Sequence, residues 1–473
     1  MSDTLATGSH IHLIAICGVG MASLAGLLKS TGHRVTGSDQ NIYPPMSTYL
    51  EEIGIDVLAC FRPEHLSDRP DLVIIGNAVS RNNPEAETVL SLGIPYISFP
   101  QAVGRFLIGS RQSQVIAGTH GKTTTTALAA WVLARAGLEP GFFVGGVPIN
   151  FGSGWSPGKG DYVVLEGDEY DSAFFDKGPK FLHYRPQNVV LTSVEFDHAD
   201  IYRDLDHLKD AFQRLMELIP TDGKLILCRD YPAAVEVAAS ARSRVISYGD
   251  SQSSDWTPKN IRFGAGRSFF EPAYRGQSDG TVEVGLIGRH NIQNALAIYA
   301  LAKELGIDRS RILEGFATFS GVKRRQEIKG EKRGVLLIDD FAHHPTAVRE
   351  TIDAVRAAYP GRRLWAIFEP RSHTSRRKIF QEEFSQALSR ADRVVMAELY
   401  QAEKIPEKER MSVATVVGEI NRSCHDDRAV MIQNAQDIAS YIAQNAVAGD
   451  IALVMSNGGF DGVHEKILLA LAG

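Results

Sequence analysis

Short apolar runs recur along the chain, each followed by a glycine or polar turn and then by a longer stretch of helical periodicity. The first, IHLIAIC (11–17), leads through Gly18-Val19-Gly20 into an apolar helix that reaches about Ser30. RVTGSD (34–39) reads as a short strand ending at Asp39, and DLVIIGNAVS (71–80) as a strand running into a loop. A second series opens with QVIAGTHGKTTTTALAAWVLARAG, which predicts a strand, a glycine loop and a helix from about Lys122 to Arg135. DYVVLE (161–166), NVVLTSV (188–194) and KLILC (224–228) are further strands. Residues 247–285, rich in Ser, Gly and aromatics, read as short antiparallel strands, with a helix from about Asn291 to Leu305 beyond them. A third series begins near Gly330. It contains the strand GVLLIDDF, the helix PTAVRETIDAVRAA with Pro345 in its first turn, and the strands RLWAIFEP, ADRVVMAE and DIALVMSNGG.

This alternation predicts three α/β domains with parallel sheets. The polar stretch 104–113, followed at once by a fresh strand, places the first boundary near Ser110. The expected domains are 1–110, Rossmann-like; 111–328, a central P-loop-type ATPase; and 329–473, again Rossmann-like.

Composition narrows the function. A chain of 473 residues with 44% hydrophobic and 22% charged residues is not a disordered one. A net charge of −6 leaves no general basic footprint for nucleic acid. The four cysteines, Cys17, Cys60, Cys228 and Cys424, form no CxxC pair. Neither a zinc cluster nor a disulfide framework is expected, and a reducing cytoplasm fits. Ile11–Leu28 approaches the length of a membrane span, but no Lys or Arg precedes it, and His12 and three glycines interrupt it. A buried strand, a glycine turn and a packed helix account for it, so no membrane insertion is expected.

Chemistry enters with Gly118-Thr119-His120-Gly121-Lys122-Thr123-Thr124, between an apolar strand and a helix. Phosphates need dense backbone N–H donors, a cation and a hydroxyl for the metal; here glycines, Lys122 and Thr123 provide them. Ile116 stands where the longer GxxxxGK[ST] loop has its first glycine. Glu166, Asp168 and Glu169 cluster just past the strand DYVVLE, where metal carboxylates sit beside such loops, although a solvated acidic loop would look the same. His198, in EFDHADIY (195–202), closes the next strand and is a candidate metal ligand. Gly18 and Gly20, with Asp39 ending the following strand, resemble a dinucleotide fingerprint in which Ser23 replaces the third glycine. The chain thus carries two diphosphate cradles. One suits ATP with Mg²⁺; the other, without lysine or acid cluster, suits a nucleotide-linked substrate.

GTHGKTTTT (118–126), EGDEYD (166–171), EFDHADIY (195–202), GRHNIQNALA (288–297), GVKRRQE (321–327) and DDFAHHPT (339–346), in this order, resemble the motifs of the Mur ligase family. These are three-domain, ATP-dependent enzymes that form amide bonds in bacterial cell-wall synthesis, and the resemblance spans essentially the whole chain. GSDQNIYPPMSTYLEEIGI (37–55), DSAFFDK (171–177), EPRSHT (369–374) and SNGGFDGVH (456–464) resemble members that attach L-alanyl-γ-D-glutamyl-meso-diaminopimelate to UDP-N-acetylmuramate in wall recycling. The alternative is the member that adds L-alanine, which tends to have GAGDI-like and PHRYTRT-like residues at SNGGF and PRSHT.

The resemblance implies roles. Lys122 contacts the γ-phosphate within a cradle of Gly118, Thr119, Gly121, Thr123 and Thr124. Thr123, Glu166 and His198 hold Mg²⁺, and His120 sits between ATP and the UDP-sugar. Asn291 and Asn294 face the adenine, Arg324 or Arg325 lies near the nucleotide, and Asp340 meets the ribose with His343 and His344 nearby. Gly18, Gly20, Ser38, Asp39 and Asn77 hold the UDP end. For the acceptor, whose diaminopimelate carries two carboxylates, the residue chemistry points to Arg371, Arg376 and Arg377 after the strand ending at Glu369, and to Ser456 and Asn457 at the end of another strand. Asn291 and Asp340 can equally cap helices, and Arg324-Arg325 and Arg376-Arg377-Lys378 can be solvated basic faces.

Overall fold

The computed structural model describes residues 5–199, 201–264 and 266–473. The chain divides into two compact units. The first comprises 1–194, 206–255 and 297–315, the second 195–205, 256–296 and 316–473.

In the first unit, β1 (His10–Ile14), β2 (Arg34–Asp39), β3 (Val57–Ala59), β4 (Leu72–Ile75) and β5 (Tyr96–Ser98) form a parallel sheet in the order β3-β2-β1-β4-β5. The order reverses between β1 and β4, and ligands of open α/β sheets bind outside strand C-termini at such a switch. Strand β1 stops at Ile14, three residues before the apolar run ends, because Ala15 turns to φ +65° and leaves the ladder. The first helix, Val19–Ser30, takes Gly20 into its opening turn. A Cβ on Gly20 would stand 3.3 Å from the Phe99 ring, so this glycine lets the ring pack on the helix.

The same unit holds β6 (Gln112–Ala117), β7 (Gly141–Phe143), β8 (Trp155–Ser156), β9 (Tyr162–Gly167), β12 (Pro186–Leu191), β13 (Lys224–Cys228) and β14 (Arg244–Tyr248), in the order β14-β13-β12-β6-β9-β7-β8. All pairs are parallel except β7–β8. Between β9 and β12 lies a small hairpin of β10 (Asp171–Ala173) and β11 (Asp176–Pro179). Trp155 Nε1 donates to Tyr49 Oη at 2.9 Å, and the two side chains fill the space left by the missing side chain of Gly26.

In the second unit, β15 (Trp256–Gly264), β16 (Arg267–Tyr274), β17 (Gln277–Ser278) and β18 (Val282–Val284) pair antiparallel, as the Ser/Gly-rich pattern predicted. β19 (Glu327–Lys332), β20 (Val335–Asp340), β21 (Leu364–Phe368), β22 (Arg393–Met396), β23 (Ala429–Met431) and β24 (Ile451–Met455) form a sheet ordered β19-β20-β24-β21-β22-β23, with only β19 antiparallel. Its central strands are buried on both faces, which explains their uninterrupted apolar runs. Leu336, Ile338, Ala366, Phe368, Leu453 and Met455 pack with Val348, Ile352 and Val355 of the helix Pro345–Ala358. Val335, Leu337, Trp365, Ile367 and Val454 pack on the other face with Ile438, Ile442, Val463 and Ile467.

Among the described residues no helix is long and apolar enough to cross a membrane. The apolar stretch at 11–28 is the strand, turn and helix that its glycines predicted.

Candidate functional site

The first cradle lies where β6 ends between β9 and β12. Gly118 adopts φ +133°, and a Cβ there would meet Thr192 Oγ1 at 2.3 Å and the backbone of Ser193 at 2.8 Å. Only glycine permits this approach. The loop is tied to the end of β12: Thr119 N donates to Ser193 O at 3.0 Å, His120 N to Ser193 Oγ at 2.9 Å, and Thr192 Oγ1 to His120 O at 2.6 Å. Gly121, at φ +78°, turns the chain into the helix Lys122–Arg135 without a side-chain cap. Its head therefore offers N–H groups and positive potential to a phosphate.

Lys122 Nζ donates to Gly118 O at 2.6 Å and to Glu169 at 2.9 Å. Burial alone would lower the ammonium's pKa; Glu169, Asp168 and Glu166 outweigh it, so the pKa is raised and the charge is kept. Thr123 Oγ1 donates to Glu166 Oε1 at 2.8 Å, and Gly145 N to Glu166 Oε2 at 2.7 Å. A hydroxyl and a carboxylate in contact beside a phosphate loop are a hard-oxygen pair of the kind Mg²⁺ takes. Burial works against ionisation of Asp168, but Lys180 and Lys122 hold its pKa down at about 2.

The second cradle is a crevice of about 430 Å³ at the switch point of the first sheet. It is lined by Cys17, Gly18 and Gly20, by Asp39, and by Gly76 and Asn77 beyond β4. Asp39 accepts from Cys17 N at 2.9 Å and from Asn41 N at 2.9 Å, which fixes the carboxylate at the mouth. Ser38 does not face this crevice. Its hydroxyl is buried and donates to Glu85 Oε2 at 2.5 Å, while its carbonyl accepts from Ala15 N and Ile16 N. The strand period of two turns Ser38 away from the face that Asp39 occupies. Ser38 shapes the turn rather than lining it. The crevice also includes Lys180, which the sequence reading did not single out.

In the second unit, Asp340 is buried and accepts from Gln326 N and Ala342 N, each at 2.8 Å. Burial raises its pKa, against the pull of Arg325 and these N–H groups. Asn291 Nδ2 donates to Gln326 Oε1 at 3.1 Å and Asn294 Nδ2 to Asn291 Oδ1 at 3.1 Å, so both asparagines join a network that reaches Asp340 through Gln326. Asn291 lies inside its helix, which starts at Arg289, and the cap of the helix at Pro345 is His344. Neither Asn291 nor Asp340 is a cap. Arg324 uses its guanidinium on Ser456 O and Gly458 O, each at 2.7 Å, and on Asp339 at 3.3 Å. Arg325 lies over the Phe341 ring at 4.8 Å. Arg324 and Gln326 have φ of +62° and +52°, left-handed values that non-glycine residues keep only under constraint.

His198 belongs to this second unit, whereas Thr123 and Glu166 belong to the first. It also holds a left-handed φ of +55°, and its N–H donates to Asp197 Oδ1 at 2.7 Å. Asp197 is buried and accepts from Thr374 Oγ1 at 2.5 Å. Its burial opposes ionisation, yet the facing His198, His343 and His344 hold its carboxyl far below the usual carboxylate range. Burial lowers the pKa of His343, against the pull of Asp197. Glu369 accepts from Ser456 Oγ at 2.5 Å, and Arg371 lies 3.7 Å over the Tyr400 ring and 3.5 Å from Glu369. Asn457 follows in the same loop. The sequence reading assigned no role to Gln326, Glu369, Thr374 or Lys180; the first three lie inside quoted motifs, but which polar residue of a motif turns toward a neighbour depends on contacts that spacing does not show.

Comparison with known proteins fits this architecture. Residues 10–111 match the model described as the Mur ligase family catalytic domain, 116–302 the Mur ligase middle domain, and 324–458 the Mur ligase glutamate ligase domain. The chain is 40% identical over 465 residues to the UDP-N-acetylmuramate–L-alanyl-γ-D-glutamyl-meso-2,6-diaminoheptandioate ligase of Escherichia coli, covering 98% of each. It is 33% identical over 460 residues to the UDP-N-acetylmuramate–L-alanine ligase of Desulfitobacterium hafniense, covering 97% of this chain and 99% of that one. A solved structure of a murein peptide ligase from Psychrobacter arcticus superposes with TM-score 0.71 at 36% identity, covering 98% of this chain and 99% of that chain. The three family matches, in order along the chain, define the class of this fold as an amide-forming ligase. The chain belongs to the Mur ligase family, the ATP-dependent, ADP-forming amide ligases.

Proposed function

We propose that this ligase joins the free tripeptide L-alanyl-γ-D-glutamyl-meso-diaminopimelate to UDP-N-acetylmuramate, in recycling of the cell wall. The observation that carries this reading is the full-length likeness to the E. coli ligase named for that reaction, at 40% identity against 33% for the alanine-adding relative. The assignment of 1–110 to the UDP-sugar, 111–328 to ATP, and 329–473 to the acceptor and part of ATP is part of the same proposal.

The chemistry follows from the side chains. The lactyl carboxylate attacks the γ-phosphorus of ATP, ADP leaves, and an acyl phosphate forms. Lys122, kept charged by three carboxylates, neutralises the transferring oxygens, and the helix head behind it supplies N–H donors. Thr123 and Glu166, with His198, are the proposed Mg²⁺ ligands; when bound, the ion adds charge neutralisation at the phosphates. The α-amine of the tripeptide attacks the acyl carbon and phosphate leaves. Asp340 and Asn291, joined through Gln326, are proposed to hold the ribose and adenine. Arg371 and the Ser456-Asn457 loop are proposed to receive the carboxylates of the acceptor, because a guanidinium pairs with a carboxylate in two parallel hydrogen bonds. A cytoplasmic location agrees with the nucleotide substrates.

The test is ADP release with Mg²⁺, ATP and UDP-N-acetylmuramate, offering either the tripeptide or L-alanine. Turnover with the tripeptide and not with alanine is expected. Turnover with alanine alone would overturn the acceptor assignment and leave the family intact.

A further inference from the structure

Resting on that reading of the first-sheet crevice, we propose that Lys180 binds the diphosphate of the UDP-sugar. Lys180 follows β11 and opens the short turn Lys180–His183, outside the first sheet, yet it lines the crevice together with Gly18, Gly20, Asp39 and Asn77. It is the one basic side chain among the described residues that line it. The one acidic residue there is Asp39. Without Lys180 the side-chain charge facing a diphosphate has the wrong sign, and the head of the helix Val19–Ser30, with no side-chain cap, would be the sole positive element.

The ammonium is already placed. Its Nζ lies 2.5 Å from Asp168 Oδ2 and 5.7 Å from the centre of the Tyr170 ring, and Lys180 N donates to Tyr170 O at 3.1 Å. An ammonium carries three donors, so Lys180 can turn one N–H toward a phosphate while another stays on Asp168.

Binding of UDP, uridine and UDP-N-acetylmuramate to the whole enzyme, measured by calorimetry without ATP, tests this. Lys180→Met is expected to weaken UDP and UDP-N-acetylmuramate alike, by about 10- to 100-fold for a lost charge-assisted contact, and to leave uridine unchanged. Lys180→Arg should retain most of the affinity. Asp168→Asn, which frees the ammonium, should leave UDP affinity equal or tighter. Unchanged UDP binding by Lys180→Met, a parallel loss for uridine, or a loss confined to UDP-N-acetylmuramate would each overturn the proposal. So would weaker UDP binding by Asp168→Asn, which would make the pair merely structural. Failure of the unaltered enzyme to bind UDP would instead bring down the reading of the crevice, and this proposal with it.

Discussion

Thr123 Oγ1 donates to Glu166 Oε1 at 2.8 Å, so the first hydroxyl of the phosphate-loop helix and a carboxylate from the neighbouring strand already touch. Gly145 N holds the other carboxylate oxygen at 2.7 Å. Glu166→Gln keeps the shape and removes the charge. The Mg²⁺ concentration for half-maximal activity should rise by about tenfold or more, as for the loss of one anionic ligand. A titration of rate against Mg²⁺ that superposes on that of the unaltered enzyme would exclude Glu166 as a ligand.

Lys122→Met should leave the fold intact and cost about a thousandfold or more in turnover, because the cation is preorganised where charge develops. Near-normal phosphate release by this variant would contradict the role assigned to the loop.

Cys17 lines the crevice at the switch point of the first sheet, where burial first and then the Asp39 carboxylate push its thiol up to about 11. A raised pKa favours the neutral thiol, and the thiolate is the reactive form. Alkylation of Cys17 by iodoacetamide, followed by peptide mass spectrometry, should therefore rise about tenfold per pH unit from pH 8 to 10. Saturation by pH 9 would show an unburied thiol. UDP should slow the reaction.

Gly26 lies in the first helix beneath Tyr49 and Trp155. A Cβ there would stand 2.2 Å from Tyr49 Oη and 2.8 Å from Trp155 Cζ2. Alanine raises helix propensity, yet the overpacking should dominate. Gly26→Ala is expected to lose about 1–3 kcal/mol in denaturant unfolding. A stabilised variant would mean that the Tyr49–Trp155 pair yields at no cost.

Arg371 lies over Tyr400, with Glu369 and the Ser456 loop beside it. Arg371→Ala should raise KM for the tripeptide by about 10- to 100-fold, while UDP-N-acetylmuramate and ATP keep theirs. Equal losses for all three substrates would mean that the arginine only supports the loop.

The sequence pattern reached the elements more easily than the contacts. The helix Pro345–Ala358 and the helix Lys122–Arg135 sit where periodicity and glycine placed them, because both pack on parallel strands whose apolar runs announce them. The end of β1 was less legible: Ile16 and Cys17 continue the apolar run, and only the positive φ of Ala15 takes them out of the strand. Asp39 and Ser38 look equivalent in sequence, but one faces the crevice and the other faces Glu85. Lys180 was illegible because the crevice it lines is built from residues between Ala15 and Phe99, far away in sequence.

The second unit is assembled from 195–205, 256–296 and 316–473, not from one continuous stretch. Thr346 is bonded to Glu195, Thr374 to Asp197, and Gln326 to Asn291. A chimera that exchanged only the C-terminal third with an alanine-adding relative would strand half of each of these pairs in the wrong parent. An exchange that kept these pairs together would have to carry 195–205 and 256–296 along with 316–473.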